Sequence, residues 1–146
     1  MAHGSGFLDD YLPYLLRRAD QTLSEAFYSV LAESGVARSE WRVLAVLEEL
    51  GPLSVRDLTD AALSPQPTVT HAVRRLEDRG LVTRTAGEAD RRQRIVAITP
   101  DGAALTQRLI DDARRLETAA LAELGDLDEL IGGLRHLITS LEGVTA

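Results

Sequence analysis

The sequence predicts a mainly α-helical protein with one small β-hairpin. Most apolar residues recur at steps of three and four, the period of amphipathic helices. Residues 81–98 instead alternate apolar and polar side chains around a polar, glycine-containing turn, which indicates a hairpin. Two short helical segments joined by a tight turn directly precede it. We therefore predict a winged helix-turn-helix lobe flanked by N- and C-terminal helices.

Length and composition favour one domain with helical extensions. The chain has 146 residues, of which 45 % are hydrophobic, enough for a real core. Cysteine is absent, which excludes disulfides, thiolate nucleophiles and thiolate metal sites. No apolar run approaches the roughly 20 residues that cross a bilayer, and the first residues lack the pattern of a signal peptide. We expect a cytoplasmic protein with no membrane partner.

The N-terminal part of the chain predicts two helices. Apolar residues keep the helical period from residue 7 to about residue 32. Gly35 follows this first helix, and Ser39 is the predicted N-cap of a second helix that continues to Leu50. A Gly-Pro pair then ends the second helix.

The helix-turn-helix follows this pair. Ser54 and Asp57 have the spacing of a capping box and open the first short helix. Ser64 is the predicted N-cap of the second helix, and Pro65 is its first-turn proline. A further proline at Pro67 removes another backbone donor and leaves open a start at residue 66 or 67.

Two more helices follow the hairpin. Thr99 caps a long helix that continues to about Leu121, and Asp126 caps a last one. The apolar stripes of the terminal helices exceed what a small central lobe covers, so a two-fold homodimer that pairs them is the economical arrangement. The predicted organisation is a single domain over 1–146, with the winged helix-turn-helix lobe at 37–99 and dimerisation helices at 7–34 and 100–142.

Positive charge is concentrated in the centre of an acidic chain. The whole protein has a net charge of −7, whereas the stretch from Thr68 to Thr99 has seven arginines and four acidic residues, or +3. Because a partner contacts only one face, the acidic total does not exclude a polyanion. The two segments that carry this charge are the second helix of the helix-turn-helix and the hairpin.

That second helix has the features of a helix that reads DNA. Val69, Val73 and Leu76 share one side and predict contact with the core, while hydrogen-bonding and basic side chains occupy the other side. In the major groove such side chains reach base edges and phosphates. The alternative is a solvated face rich in arginine. The candidate residues are Ser64, Gln66, Pro67, Thr68, Thr70, His71, Arg74 and Arg75.

The hairpin is the second basic element. An arginine on a projecting loop can enter a narrow minor groove. Asp90 is expected to hold the guanidinium of Arg92 through paired hydrogen bonds, although an ordinary surface ion pair is the alternative. Helix and hairpin together favour DNA binding over a winged-helix module that binds protein and has no DNA site. The candidate residues of the hairpin are Arg84, Asp90, Arg91, Arg92 and Arg94.

The sequence resembles the MarR-type family of bacterial transcription regulators in three stretches, "EWRVLAVL" at 40–47, "TVTHAVRRLEDRGLVTR" at 68–84 and "DRRQRIVAITPDGAAL" at 90–105. The most specific mark is Asp90-x-Arg92 followed by Thr99-x-x-Gly102. The resemblance implies a two-fold dimer on a pseudo-palindromic operator on double-stranded DNA, usually a repressor that a small ligand releases. It also implies that Arg92 enters the minor groove and that Asp90 orients it.

The resemblance further implies a small aromatic or phenolic acid as ligand, bound where the dimerisation helices meet the lobe. The alternative is packing for the aromatic residues and solvation for the arginines. We expect no enzyme activity, cofactor or metal, because the chain has no lysine, Gly-rich phosphate loop or paired-His spacing, and His3, His71 and His136 are scattered. The candidate ligand-binding residues are Tyr14, Arg17, Arg18, Tyr28, Trp41 and Arg42.

Overall fold

The computed structural model describes residues 6–145, so His3 lies outside the described residues. A 3-10 turn at Phe7–Asp9 precedes helices α1 (Leu12–Glu33) and α2 (Arg38–Leu50). Strand β1 (Leu53–Ser54) is followed by helices α3 (Val55–Ala62) and α4 (Gln66–Asp78). Strands β2 (Val82–Ala86) and β3 (Arg94–Ile98) form the hairpin, and helices α5 (Pro100–Ala120) and α6 (Leu127–Thr145) complete the chain. This order confirms the predicted winged-helix class.

The core lies in the central lobe, where α2, α3 and α4 pack together and against the sheet and α5. The predicted inner face of α4 is confirmed, since Val69, Val73 and Leu76 are all buried. Leucine and valine side chains from α2, α3 and β3 fill the rest, which gives the lobe a continuous apolar interior. These side chains are Val43, Leu44, Leu47, Leu58 and Val96.

The terminal helices contrast with this lobe. No residue of α6 is buried among those whose side chains the structure describes, and α1 is exposed as far as Leu23. Leu12 of α1 and Leu124, Leu130 and Leu134 around α6 line an open apolar groove. We call this groove, together with the exposed first half of α1, the terminal surface.

Three of the predicted N-caps are confirmed. The Ser54 hydroxyl accepts a hydrogen bond from the Asp57 N–H at 3.1 Å, and the Thr99 hydroxyl accepts one from the Gly102 N–H at 3.1 Å. The Asp126 carboxylate accepts one from the Glu129 N–H at 3.0 Å. Each cap satisfies a backbone donor that a helix start leaves without an internal partner.

The first two helices begin differently from the prediction. The segment from residue 7 is not one helix, because a 3-10 turn comes first and α1 starts at Leu12, with Pro13 in its first turn. Ser39 is not the N-cap of α2. The helix begins at Arg38, and the Glu40 carboxylate accepts the Ala37 N–H at 3.1 Å, so Glu40 closes the first turn from inside.

The turn between α3 and α4 also differs. Pro65, not Ser64, is the N-cap of α4, which begins at Gln66. The Ser64 hydroxyl instead donates to the Ala62 carbonyl at 3.2 Å and accepts from Arg42 Nη1 at 3.3 Å. Leu63 precedes it in the left-handed region at φ 54°, with its side chain 88 % exposed.

The sheet contains a strand that the sequence did not predict. Leu53 of β1 pairs with Val96 of the central strand β3, which makes the sheet three-stranded in the order β1-β3-β2. At the other end of β3, the Thr99 hydroxyl donates to the Gly80 carbonyl at 2.7 Å. A Cβ on Gly102 would collide with the Leu81 carbonyl oxygen, so only glycine allows α5 to start this close to the hairpin.

Candidate nucleic-acid interface

The outer face of α4 brings most of the predicted reading residues together. Five of them line one shallow pocket: Gln66, Pro67, Thr70, His71 and Arg74. The hydrogen-bonding groups of this pocket project away from the core, because the opposite side of the same helix is buried. A helix with this division can lie in a major groove with its first turns against base edges. Thr68 is exposed beside the pocket, and Ser64 lies in the preceding turn.

Arg75 lies on the flank of the same helix and has a partner that the sequence reasoning missed. Its side chain is 60 % exposed, and its Nε is 4.0 Å from Oε1 of Glu40, whose side chain is only 2 % exposed. Arg79 Nη1 lies 3.8 Å from Oε2 of the same carboxylate. The capping-box position of Glu40 was the one local signal that could have identified it.

The tip of the hairpin exposes three predicted arginines, Arg91, Arg92 and Arg94. The tip is a closed turn, in which the Gln93 N–H donates to the Asp90 carbonyl at 3.1 Å. The prediction that the Arg92 guanidinium hydrogen-bonds the Asp90 carboxylate is wrong. Within residues 6–145 the Asp90 carboxylate instead accepts the Arg92 backbone N–H at 3.0 Å, because an aspartate readily bonds the backbone two residues on.

Arg84 is paired with an acidic residue of the same chain and is not a free cation of the tip. Its Nε and Nη2 donate to Oε1 of Glu77 at 3.2 and 3.0 Å, which joins β2 to the end of α4. The hydrogen bonds from Arg84 hold the pKa of Glu77 below its ordinary value. The ion pair therefore fixes the hairpin against the helix that carries the shallow pocket.

The predicted ligand-binding residues fall into separate places. Trp41 and Arg42 line one pocket with Asp20 and Leu63, and the Trp41 ring also meets the Phe27 ring edge-on at 5.0 Å. The second place holds Tyr28, whose ring lies 3.8 Å from the Arg38 guanidinium, in another pocket. Tyr14, Arg17 and Arg18 are exposed on the first half of α1 and line neither of these two pockets.

The described part of the chain contains neither a cluster of metal ligands nor a helix suited to span a membrane. No group of three or more His, Cys, Asp or Glu side chains within residues 6–145 is arranged to hold a metal ion. Over the same range, no helix combines the length and the apolar character that a bilayer crossing requires.

Comparison with known proteins decides the family. The sequence profile described as the MarR family matches residues 34–93, from the end of α1 to the tip of the hairpin. The transcriptional repressor NicR of Pseudomonas putida is 31 % identical over 131 residues, which cover 88 % of this chain and 83 % of the relative. The chain belongs to the MarR family. The predicted resemblance is therefore confirmed.

Solved structures of MarR-family proteins have the same fold. A MarR family transcriptional regulator from Silicibacter pomeroyi DSS-3 superimposes with a TM-score of 0.82 at 34 % identity, over 94 % of this chain and 99 % of that one. BpsR of Bordetella bronchiseptica, whose DNA binding is regulated by 6-hydroxynicotinic acid, gives 0.78 at 27 % identity over 95 % and 98 %. This MarR-family chain is a DNA-binding transcription regulator, a member of a family of regulators and not of enzymes.

Proposed function

We propose that this regulator is a repressor that binds a pseudo-palindromic operator as a homodimer. The observation that carries the proposal is the division of α4 into a buried inner face and an outer face that gathers Gln66, Thr70 and Arg74. Glutamine and arginine can each make paired hydrogen bonds to a base edge, and threonine suits a phosphate or a thymine methyl group. Placed in a major groove, α4 acts as the recognition helix.

The exposed arginines of the hairpin tip supply the second contact. Arg92 projects from a turn in which the Asp90 carboxylate accepts the Arg92 N–H, so this exposed arginine has a defined place on the hairpin tip. In this position Arg92 enters the adjacent minor groove, where the negative potential is strongest. Arg91 and Arg94 lie beside it and bind the flanking phosphates.

Dimerisation uses the terminal surface. An apolar groove that includes Leu12 and Leu134 is uncovered in the single chain. A second copy related by two-fold symmetry covers both such surfaces at once. We assign residues 7–34 and 100–142 to dimerisation and residues 37–99 to DNA binding. The symmetry of the dimer then matches that of an operator with two half-sites.

A small aromatic or phenolic acid is the proposed ligand, and the pocket of Trp41 and Arg42 is its place. The guanidinium of Arg42 suits a carboxylate, and the indole of Trp41 suits an aromatic ring. The DNA binding of BpsR is regulated by 6-hydroxynicotinic acid, an aromatic acid, and this supports the proposed chemical class. The bond from Arg42 to Ser64 joins the pocket to the turn before α4, so occupancy of the pocket acts on the start of the recognition helix.

Selection of duplexes from random DNA at physiological salt tests the proposal. Wild type is expected to enrich an inverted repeat with half-sites about one helical turn apart. Arg92→Ala is expected to bind the enriched duplex about 100-fold more weakly, because one charge-assisted contact of about tenfold is lost at each of the two half-sites, with a nearly unchanged melting temperature.

Arg108→Ala is the matched control, since Arg108 is an exposed arginine of α5 outside the recognition helix and the hairpin. It is expected to bind as wild type does. Equal losses in both variants would show that general positive charge, and not the hairpin tip, sets the affinity. No enrichment by wild type would contradict DNA reading and would favour a protein-binding winged helix.

A further inference from the structure

Glu40 is the buried acidic residue of the lobe, and its burial needs an explanation. Its side chain is 2 % exposed, and no other acidic residue of the described chain is buried. One carboxylate oxygen, Oε1, caps α2 by accepting the Ala37 N–H. The other, Oε2, has no hydrogen-bond partner. Burial of a carboxylate is costly unless charges or donors compensate it, so the cap alone does not account for Glu40.

The compensation comes from two arginines at the end of the recognition helix. Arg79 lies 3.8 Å from Oε2 and is itself held, because its Nη1 donates to the Gly35 carbonyl at 2.8 Å. Arg75 approaches Oε1 through its Nε at 4.0 Å while 60 % of its side chain stays exposed. Arg79 is thus fixed at the corner between α1 and α2, whereas Arg75 extends from Glu40 towards the outside.

The geometry points to Glu40 as a positioning residue for DNA binding, a role that rests on the proposed function. In this role the Glu40 carboxylate attracts the Nε of Arg75, which lies 4.0 Å from Oε1, and leaves the two Nη groups to bind a backbone phosphate beside the major groove. A guanidinium can contact a carboxylate and a phosphate at once because its donors form a planar fork. The sequence predicted that Asp90 on the hairpin tip positions an arginine, whereas in the structure the carboxylate beside an exposed arginine is Glu40, next to the recognition helix.

Charge removal separates this role from a purely structural one. A negative charge near DNA repels the phosphates, so its loss by itself strengthens binding. Loss of the hold on Arg75 weakens binding. The two effects have opposite signs, and a fall in operator affinity on removal of the Glu40 charge therefore identifies positioning.

Glu40→Gln is the first variant, because glutamine keeps an oxygen for the Ala37 N–H and nearly the same volume. Its affinity for the duplex that wild type enriches is expected to fall about tenfold for each half-site, or about 100-fold for the dimer, because one charge-assisted contact is lost in each copy. Glu48→Gln is the matched control. Glu48 is on the same helix and accepts a hydrogen bond from Gln107 of α5, so the variant loses the same charge without touching Arg75. Its affinity is expected to stay the same or rise.

A double-mutant cycle tests whether the effect passes through Arg75. Arg75→Gln alone is expected to weaken binding and to lower the dependence of affinity on salt. If Glu40 acts through Arg75, adding Glu40→Gln to Arg75→Gln changes the affinity by less than about twofold. An undiminished second loss would show that Glu40 acts by another route and would overturn the proposal.

Arg75→Lys keeps the test decisive if Glu40→Gln does not fold. Lysine has the same charge, but its single ammonium cannot face Glu40 and a phosphate in the same way. Its affinity is expected to lie close to that of Arg75→Gln, and binding like wild type would overturn the proposal. A wild type that enriches no duplex overturns the proposed function itself. If wild type enriches a duplex but Glu40→Gln binds it no worse than Glu48→Gln does, only the proposed role of Glu40 is overturned.

Discussion

The central lobe and the terminal helices use apolar residues in opposite ways. In the lobe, Leu44, Leu58 and Leu76 are fully buried by neighbours from the same chain. On α6, Leu130 is 48 % exposed and Ile138 is 54 % exposed, although this helix also has an apolar face. Periodicity shows that a helix has an apolar face. Whether that face is covered by the chain or by a second copy depends on which elements lie next to it.

The largest expected effect is on the lobe. Leu44→Ala leaves a cavity in a fully buried site and is expected to destabilise the fold by about 3 kcal/mol. Ile138→Ala is the comparison on α6. Its loss of stability is expected to depend on protein concentration, because the proposed dimer would cover Ile138, which is exposed in the single chain. Thermal unfolding at several concentrations measures both, and a concentration-independent loss at Ile138 would contradict the contrast between the two regions.

A charge in the apolar groove is expected to break the dimer. Leu134→Glu places a carboxylate in the groove of each copy, and the dimer dissociation constant is expected to rise about 100-fold because neither charge has a partner. Sedimentation equilibrium measures this constant. Leu63→Glu is the same substitution at an exposed site of the lobe and is expected to leave the dimer intact. A Leu134→Glu protein that remains dimeric would remove the terminal surface from the interface.

The smallest expected effect concerns the ion pair of Glu77 and Arg84. The pKa of Glu77 in the folded protein lies below its ordinary value of 4.5, because Arg84 donates hydrogen bonds to the carboxylate. Its contribution to stability is therefore complete above that value and is lost as the pH falls through the lower, folded-state pKa. Glu77→Gln is expected to lower the melting temperature at pH 7 and to match wild type at low pH.

Asp78→Asn is the control for this prediction, since Asp78 is the adjacent acidic residue and is exposed. Melting curves between pH 7 and pH 3 give the difference for each variant. A difference for Glu77→Gln that persists unchanged at low pH would mean that packing of the side chain, and not its charge, is what Arg84 stabilises.

Local patterns predicted the elements better than their junctions. Caps at Ser54, Thr99 and Asp126 were predictable because the capping side chain and the backbone donor are three residues apart. Strand β1 was not, because two residues contain no period, and Leu53 becomes a strand only by pairing with Val96. The helical period before Leu12 also predicted a helix where a 3-10 turn forms.

In the candidate interface, too, local features were predictable from the sequence, whereas contacts between distant residues were not. The buried and exposed sides of α4 followed from spacing within one helix. Glu40 did not follow, because its arginine partners are 35 or more residues away and no local pattern joins them. The predicted hydrogen bonds between the Asp90 carboxylate and the Arg92 guanidinium do not form, because the nearer backbone N–H of Arg92 competes for the same carboxylate.

The contact at Gly102 has a consequence for motion. No side chain separates the first turn of α5 from the Leu81 carbonyl, and the Thr99 hydroxyl at the start of α5 donates to the neighbouring Gly80 carbonyl, so the hairpin and α5 are in direct contact. Helix α5 has 21 residues and is about 30 Å long. With the junction rigid, a tilt of α5 by roughly 10° displaces its far end by about 5 Å and turns the hairpin through the same angle. In the proposed dimer, such a tilt at the far ends of the two α5 helices would therefore change the distance between the two hairpin tips.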